Sequence, residues 1–180
     1  MNKKLLVVSA IILVAATARL LPHAPNFTPI GAIALFAGAY ISNRVLAFIL
    51  PLIAMIFSDA LLGFSGWNYP EQTIAVYASF VLITWMGMNM RENKSVLRIG
   101  VSSLGASILF FVLTNFIVWV SGFSTPTPLY TTDFAGLLTC YTMAIPFFGY
   151  TIGADLFYSM VLFGGYYLLQ VNVPQLKESI

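Results

Sequence analysis

IGAIALFAGAYI, residues 30–41, is the stretch on which the fold turns. It is twelve residues long, whereas a helix needs about 20 residues to cross some 30 Å of hydrocarbon. On length alone it reads equally as a short crossing or as a re-entrant piece. The charges on either side of it decide. Five other apolar segments approach full length: residues 5–21, 45–64, 73–90, 99–120 and 147–169. If all six cross and the N-terminus is cytoplasmic, Lys3, Lys4, Arg44, Arg91, Lys94, Arg98 and Lys177 share one side, seven of the eight Lys and Arg residues. If residues 30–41 do not cross, Arg91, Lys94 and Arg98 move outside, against the excess of cations that cytoplasmic loops carry. The sequence therefore predicts six crossings with both termini cytoplasmic. The short helix is expected either to be extended outward by residues 27–29 or to sit where neighbouring helices, not lipid, cover its ends.

Composition agrees with that reading. Of 180 residues, 59% are hydrophobic and 8% are charged, and the mean hydropathy is +0.91. A water-soluble domain carries about a quarter charged residues, so this chain is predicted to be an all-α membrane protein. Ten-residue alternating strands of the kind a lipid-facing barrel requires are missing from the sequence. A cytosolic enzyme, a nucleic-acid binder with a basic face and a disulfide scaffold are all excluded, the last because Cys140 stands alone. With no internal repeat or linker, residues 1–180 read as a single integral membrane domain.

The N-terminus admits a second parse. Lys3 and Lys4, an apolar core and Ala16-Thr17-Ala18 together resemble a signal peptide. Cleavage there would start the mature chain at Arg19 and remove the first helix. The outer loops, SGWNYPEQ (65–72) and SGFSTPTPLYTTD (121–133), are aromatic, Pro-rich and free of cations. Trp67, Tyr69, Tyr130 and Tyr141 suit an interfacial belt. After Asp133, a good N-cap, residues 134–145 are expected to form a short interfacial helix before Pro146 opens the last span.

Charges inside a span cost roughly 2.5–3.5 kcal/mol on insertion scales and so face a bundle interior or a wet cavity. Arg19, Asp59 and Asp155 are the candidates. At 1.5 Å per residue, Asp59 lies about 8 Å and Asp155 about 12 Å below the outer ends of their spans, depths within reach of Arg19. The three are expected to form a charged cluster beneath an outward cavity, with Arg19 compensating one or both carboxylates. Snorkelling by Arg19 and simple interhelical hydrogen bonding by the two acids are the plainer alternatives.

Above that cluster, the loop LLPHAPNFTP (20–29) is stiffened by Pro22, Pro25 and Pro29 and carries His23, Asn26 and Thr28. A rigid polar loop at a bundle mouth can recognise a small molecule with little ordering entropy. Asn115 and Trp119, one helical turn apart, are expected to line the same cavity. The candidate substrate-binding set is thus Arg19, His23, Asn26, Asp59, Asn115, Trp119 and Asp155, with Trp67 and Tyr69 on the lid. Small residues mark close packing at Ala34 and Gly38 and at Gly149 and Gly153, the second pair serving either internal packing or docking to another membrane subunit.

No catalytic residue, metal or cofactor is expected. Cys140 and His23 cannot make a zinc site. No Lys follows a Gly, so there is no phosphate-binding loop for ATP. Gly153-Ala154-Asp155 lacks the GxGD pattern of intramembrane aspartyl proteases.

The runs RLLPHAPNFTPIGAIALFAGAY (19–40), LPLIAMIFSDALLGF (50–64) and AIPFFGYTIGADLFYSMVLFG (144–164) resemble a family of small bacterial inner-membrane proteins catalogued under transport. The chain is more distantly similar to the substrate-binding (S) components of energy-coupling factor transporters, six-helix proteins that capture vitamins from outside. The solitary vitamin B12 members place a cysteine beside a tryptophan in the third loop, where this chain has Trp67-Asn68. The first helix also lacks the Ala-x-x-x-Ala face used for docking on a coupling subunit. The resemblance implies uptake of a small, vitamin-like or other polar solute, the bacterial inner membrane as location, and a coupling membrane subunit with a separate ATPase as partner. The rival expectation is a non-transport scaffold or assembly protein acting through helix–helix contacts.

Overall fold

The computed structural model describes residues 3–176, without the side chains of residues 65 and 66; Lys177, expected beside the N-terminus, lies outside the described residues. The chain is an all-α membrane protein of six helices: α1 (Lys3–Thr17), α2 (Ile30–Tyr40), α3 (Arg44–Leu61), α4 (Pro70–Met88), α5 (Val96–Ser121) and α6 (Phe134–Asn172). Three of them, α3, α5 and α6, are long and apolar enough to cross a membrane. Local chemistry starts the helices where the sequence allows. Asn43 caps α3 by accepting from the Leu46 N–H at 3.1 Å, Ser95 caps α5 by accepting from Arg98, and Pro70 occupies the first turn of α4.

The short α2 is the centre of the bundle. It packs against each of the other five helices, and ten of its eleven residues are buried. At about 1.5 Å per residue it spans half the hydrocarbon thickness. Being sheathed by protein, it needs no lipid-crossing length; of the two expectations for this segment, coverage by neighbours is the one realised. A helix ending inside a bundle must still satisfy its terminal backbone groups. The Arg91 guanidinium does so at the C-terminal end, donating from Nε to Gly38 O at 3.0 Å and from Nη2 to Ile41 O at 2.6 Å. At the other end, the Ala32 N–H donates to the Asp155 carboxylate.

Glycines set the closest helix crossing. A Cβ on Gly38 would overlap Thr84 O of α4, and one on Gly87 would overlap Leu35 O of α2, so the two backbones touch. The Ala34 and Gly38 pair therefore serves internal packing. Gly149 and Gly153 do not: both are exposed, nothing lies within 4 Å of a Cβ at Gly149, and Gly153 meets only the Phe27 ring.

One expected boundary is corrected. Residues 134–145 do not form a separate interfacial helix, because α6 runs unbroken through Pro146. Proline removes one backbone hydrogen bond, and a bundled membrane helix tolerates that loss where neighbours support it. Here Tyr141 Oη donates to Val112 O at 2.8 Å and the Phe111 and Phe148 rings stack 4.4 Å apart, fastening this part of α6 to α5.

The two ends of the bundle differ. Lys3 Nζ donates to Gln175 Oε1 at 2.8 Å, bringing both ends of the described chain together, and the alternating helices place Arg44, Arg91, Lys94 and Arg98 at the same end. Inside it, Phe36, Tyr40, Phe163 and Tyr166 form an aromatic plug, with Tyr40 and Tyr166 centroids 4.5 Å apart. A space of about 1030 Å³ borders Tyr40, Lys94, Phe163 and Tyr167 at this end, and a separate hollow lies at the opposite end, marked by Arg19.

Candidate functional site

The hollow is built where α2 begins deep in the bundle and leaves room above it. Three neighbouring spaces occupy it: a chamber of about 370 Å³, a second of about 220 Å³ and a deep hollow of about 40 Å³. Asn26 and Phe110 border all three. The main chamber lies within the 300–1,000 Å³ range of small-molecule sites.

Its charged wall is a tight network. Arg19 Nη1 pairs with Asp59 Oδ1 at 2.7 Å and donates to Ser58 Oγ at 2.5 Å, with Met55 Sδ at 3.2 Å. The second Asp59 oxygen, Oδ2, accepts from Tyr77 Oη at 2.8 Å and Trp67 Nε1 at 3.3 Å. Asp59 thus has one cation and two neutral donors, and the side chains of the pair are 14% and 12% exposed, which shields the pair from bulk water. The pairing follows from α3, which carries Met55, Ser58 and Asp59 on consecutive turns toward the 3-10 turn Ala18–Leu20 that holds Arg19.

Beyond this network the lining mixes apolar side chains, among them Ile30, Leu62, Val76, Phe80 and Phe110, with uncharged polar ones. The side chains of Asn26, Thr28 and Gln72 have no hydrogen-bond partner among the described residues, and all three face the main chamber. Asn115 lines the second chamber, donating from Nδ2 to Phe111 O at 2.8 Å and leaving its oxygen unused. Backbone strain gathers here as well. Asn26 (φ 62°) and Phe64 (φ 52°) are the two non-glycine residues in the left-handed region among those described, and both border the chamber.

Asp155 stands apart from the expected cluster. Instead of sharing Arg19, it accepts from Ser107 Oγ at 2.6 Å and from the Ala32 N–H, 4% exposed at the floor of the deep hollow. Its position on α6 turns it toward α2 and α5, and Gly31 makes room for it, since a Cβ there would overlap the carboxylate. Two further corrections concern the lid and the fifth helix. Tyr69 is exposed at the start of α4 and borders none of the three spaces. Trp119 points outward, donating from Nε1 to Thr131 O at 3.1 Å, and so ties down the loop 122–133 instead of lining a cavity. His23 borders the chamber, while its ring nitrogens lie 2.9 Å from Ala24 O and 3.3 Å from Arg19 O, which spends them inside their own loop.

Arg19, His23, Asn26, Asp59, Trp67, Asn115 and Asp155 are therefore brought around three neighbouring spaces that share Asn26 and Phe110 as walls. Sequence reasoning missed Gln72, Tyr77 and Thr151. Tyr77 had a readable signal, a polar group in the apolar run of α4, and so did Thr151, one turn before Asp155 on α6; Gln72, between Glu71 and Thr73, did not stand out.

Residues 1–176 match the model of a family of unknown function, DUF6580, and the chain belongs to that family. No curated protein and no solved structure matches it.

Proposed function

We propose that this DUF6580 protein is a solute-binding protein of the bacterial inner membrane. In this reading the Arg91 end faces the cytoplasm and the Arg19 end opens outward to capture a small polar nutrient for uptake. The observation that carries it is the chamber of about 370 Å³ bordered by unpartnered Asn26, Thr28 and Gln72 beside the Arg19–Asp59 pair. Asn26 is exposed and Thr28 and Gln72 are half-buried, so water reaches these groups and a polar solute can take its place. Because Arg19 and Asp59 neutralise one another, the chamber offers hydrogen bonds without net charge and suits an uncharged or zwitterionic solute. Trp67, Tyr77, Phe80 and Phe110 supply aromatic surface for its apolar parts.

The orientation rests on Lys3, Lys4, Arg44, Arg91, Lys94 and Arg98 lying at one end. For uptake, a solute in the chamber would have to pass the packed rings of Phe36, Tyr40, Phe163 and Tyr166, which takes a change in packing. With no ATP-binding loop in its sequence, the protein would draw on a coupling membrane subunit carrying a separate ATPase, as the S-component likeness suggests. One observation favours the rival scaffold reading: the open faces at Gly149 and Gly153 leave space for a partner helix.

The two readings separate in detergent. A solute-binding protein gains thermal stability from one class of polar small molecule across a panel, and Asp59→Asn loses that gain. A scaffold responds to none of them and co-purifies with a stable membrane partner.

A further inference from the structure

We infer that the deep hollow beside Asp155 is a binding site for a monovalent cation, sodium. Asp155 is 4% exposed, and no cation pairs with it among the described residues, because Arg19 is engaged by Asp59. A carboxylate taken out of water needs compensation. Ser107 Oγ and the Ala32 N–H supply two hydrogen bonds, which leaves acceptor capacity on its oxygens.

The hollow has apolar walls at Phe80, Ile83 and Phe110, and its oxygen donors lie beside Asp155 and Gly31. Thr151, Thr28 and Asn26 border the same hollow, and the Thr151 hydroxyl spends its proton on Phe147 O at 3.1 Å, so its lone pairs stay available. A carboxylate with hydroxyl and amide oxygens, and no nitrogen or sulfur ligand, suits a hard cation. One carboxylate balances one positive charge; a divalent ion would leave an uncompensated charge in a low-dielectric site. The volume of about 40 Å³ holds a small ion with one water. A bare proton would need neither the space nor the extra oxygens. Since Asn26 and Thr28 border this hollow and the main chamber alike, sodium would complete the chamber floor and couple its occupancy to solute binding. The cation site itself does not depend on the solute.

The test uses the full chain in detergent, with sodium alone as the probe and thermal stability as the readout. Sodium chloride is compared with potassium and choline chlorides at equal ionic strength. The expected result is a saturable stabilisation by sodium that potassium and choline do not give. Thr151→Val, close in shape, should raise the sodium concentration for half-effect about tenfold, and Asp155→Asn should abolish the response. Glu92→Gln, at the opposite end, should leave it intact. If Asp155→Asn does not fold, Thr151→Val decides. Equal stabilisation by all three salts, a sodium response unchanged in Thr151→Val, or a stability that follows pH and ignores sodium would each overturn the site. None of these outcomes bears on solute retention, which is measured separately.

Discussion

The Asp59 carboxylate accepts from Arg19, Tyr77 and Trp67, whereas the Asp155 carboxylate accepts from Ser107 and a backbone amide. Tyr77→Phe removes one donor to a charged acceptor and should cost about 1.5–3 kcal/mol, read as a lower melting temperature in detergent. Gly31→Ala and Gly149→Ala make a sharper contrast. The first drives a methyl into Asp155 and should destabilise by about 1–3 kcal/mol, while the second adds a methyl to open space and should be neutral or slightly stabilising. Equal effects at the two positions would mean that Asp155 does not press on α2. The meeting of Arg19 with Asp59 was legible in the sequence because rise per residue fixes depth. The separation of Asp155 was not, because depth says nothing of rotation about the helix axis, which turns α6 so that Asp155 meets α2. Trp119 misled for the same reason.

At the scale of elements, α2 is a half-length helix with a carboxylate at its N-terminal end and a guanidinium at its C-terminal end, the polarity its dipole favours. Arg91 is held below the usual guanidinium pKa first by burial and then by Arg44 nearby, yet it stays charged. Arg91→Lys keeps the charge but loses the two-pronged contact with Gly38 and Ile41; a lower melting temperature is expected, together with faster amide exchange at the end of α2. The start of α6 adds a pH dependence. The Thr131 hydroxyl and then the Gly136 N–H hold the Asp133 carboxyl below its ordinary pKa. A depressed pKa stabilises the fold above the unfolded value of about 4, and the contribution is lost as pH falls through the folded value. Protection of the amides of residues 134–137 against exchange, taken relative to the intrinsic rate at each pH, should therefore fall in acid, and Asp133→Asn should flatten that dependence. That the short segment is a helix with neighbours covering its ends was one of the two readings its length left open. The continuity of α6 was not legible, since Pro146 reads locally as a helix start and only the contacts with α5 carry the helix through it.

At the scale of the molecule, one end is cationic and carries an aromatic cluster beside a space of about 1030 Å³, and the other holds a hollow with unused hydrogen-bonding groups in its lining. Orientation can be checked in cells, because the natural Cys140 is buried and slow to react. With single cysteines introduced at Thr127 and Asn93, a membrane-impermeant thiol reagent applied outside the inner membrane should label the first directly and the second only after permeabilisation; the reverse pattern would invert the protein. The membrane class and helical architecture were legible from composition and charge. The solute was not, because a chamber lined by neutral groups records shape and hydrogen-bonding edges instead of a chemical signature. The most direct measurement of the central claim is native mass spectrometry of gently purified full-length protein, searched for a retained small molecule. The account predicts a discrete non-lipid mass, uncharged or zwitterionic, that is carried by the native chain and lost from Asp59→Asn and Asn26→Ala. A native chain that carries only lipid, or the same mass held undiminished by both variants, would contradict it.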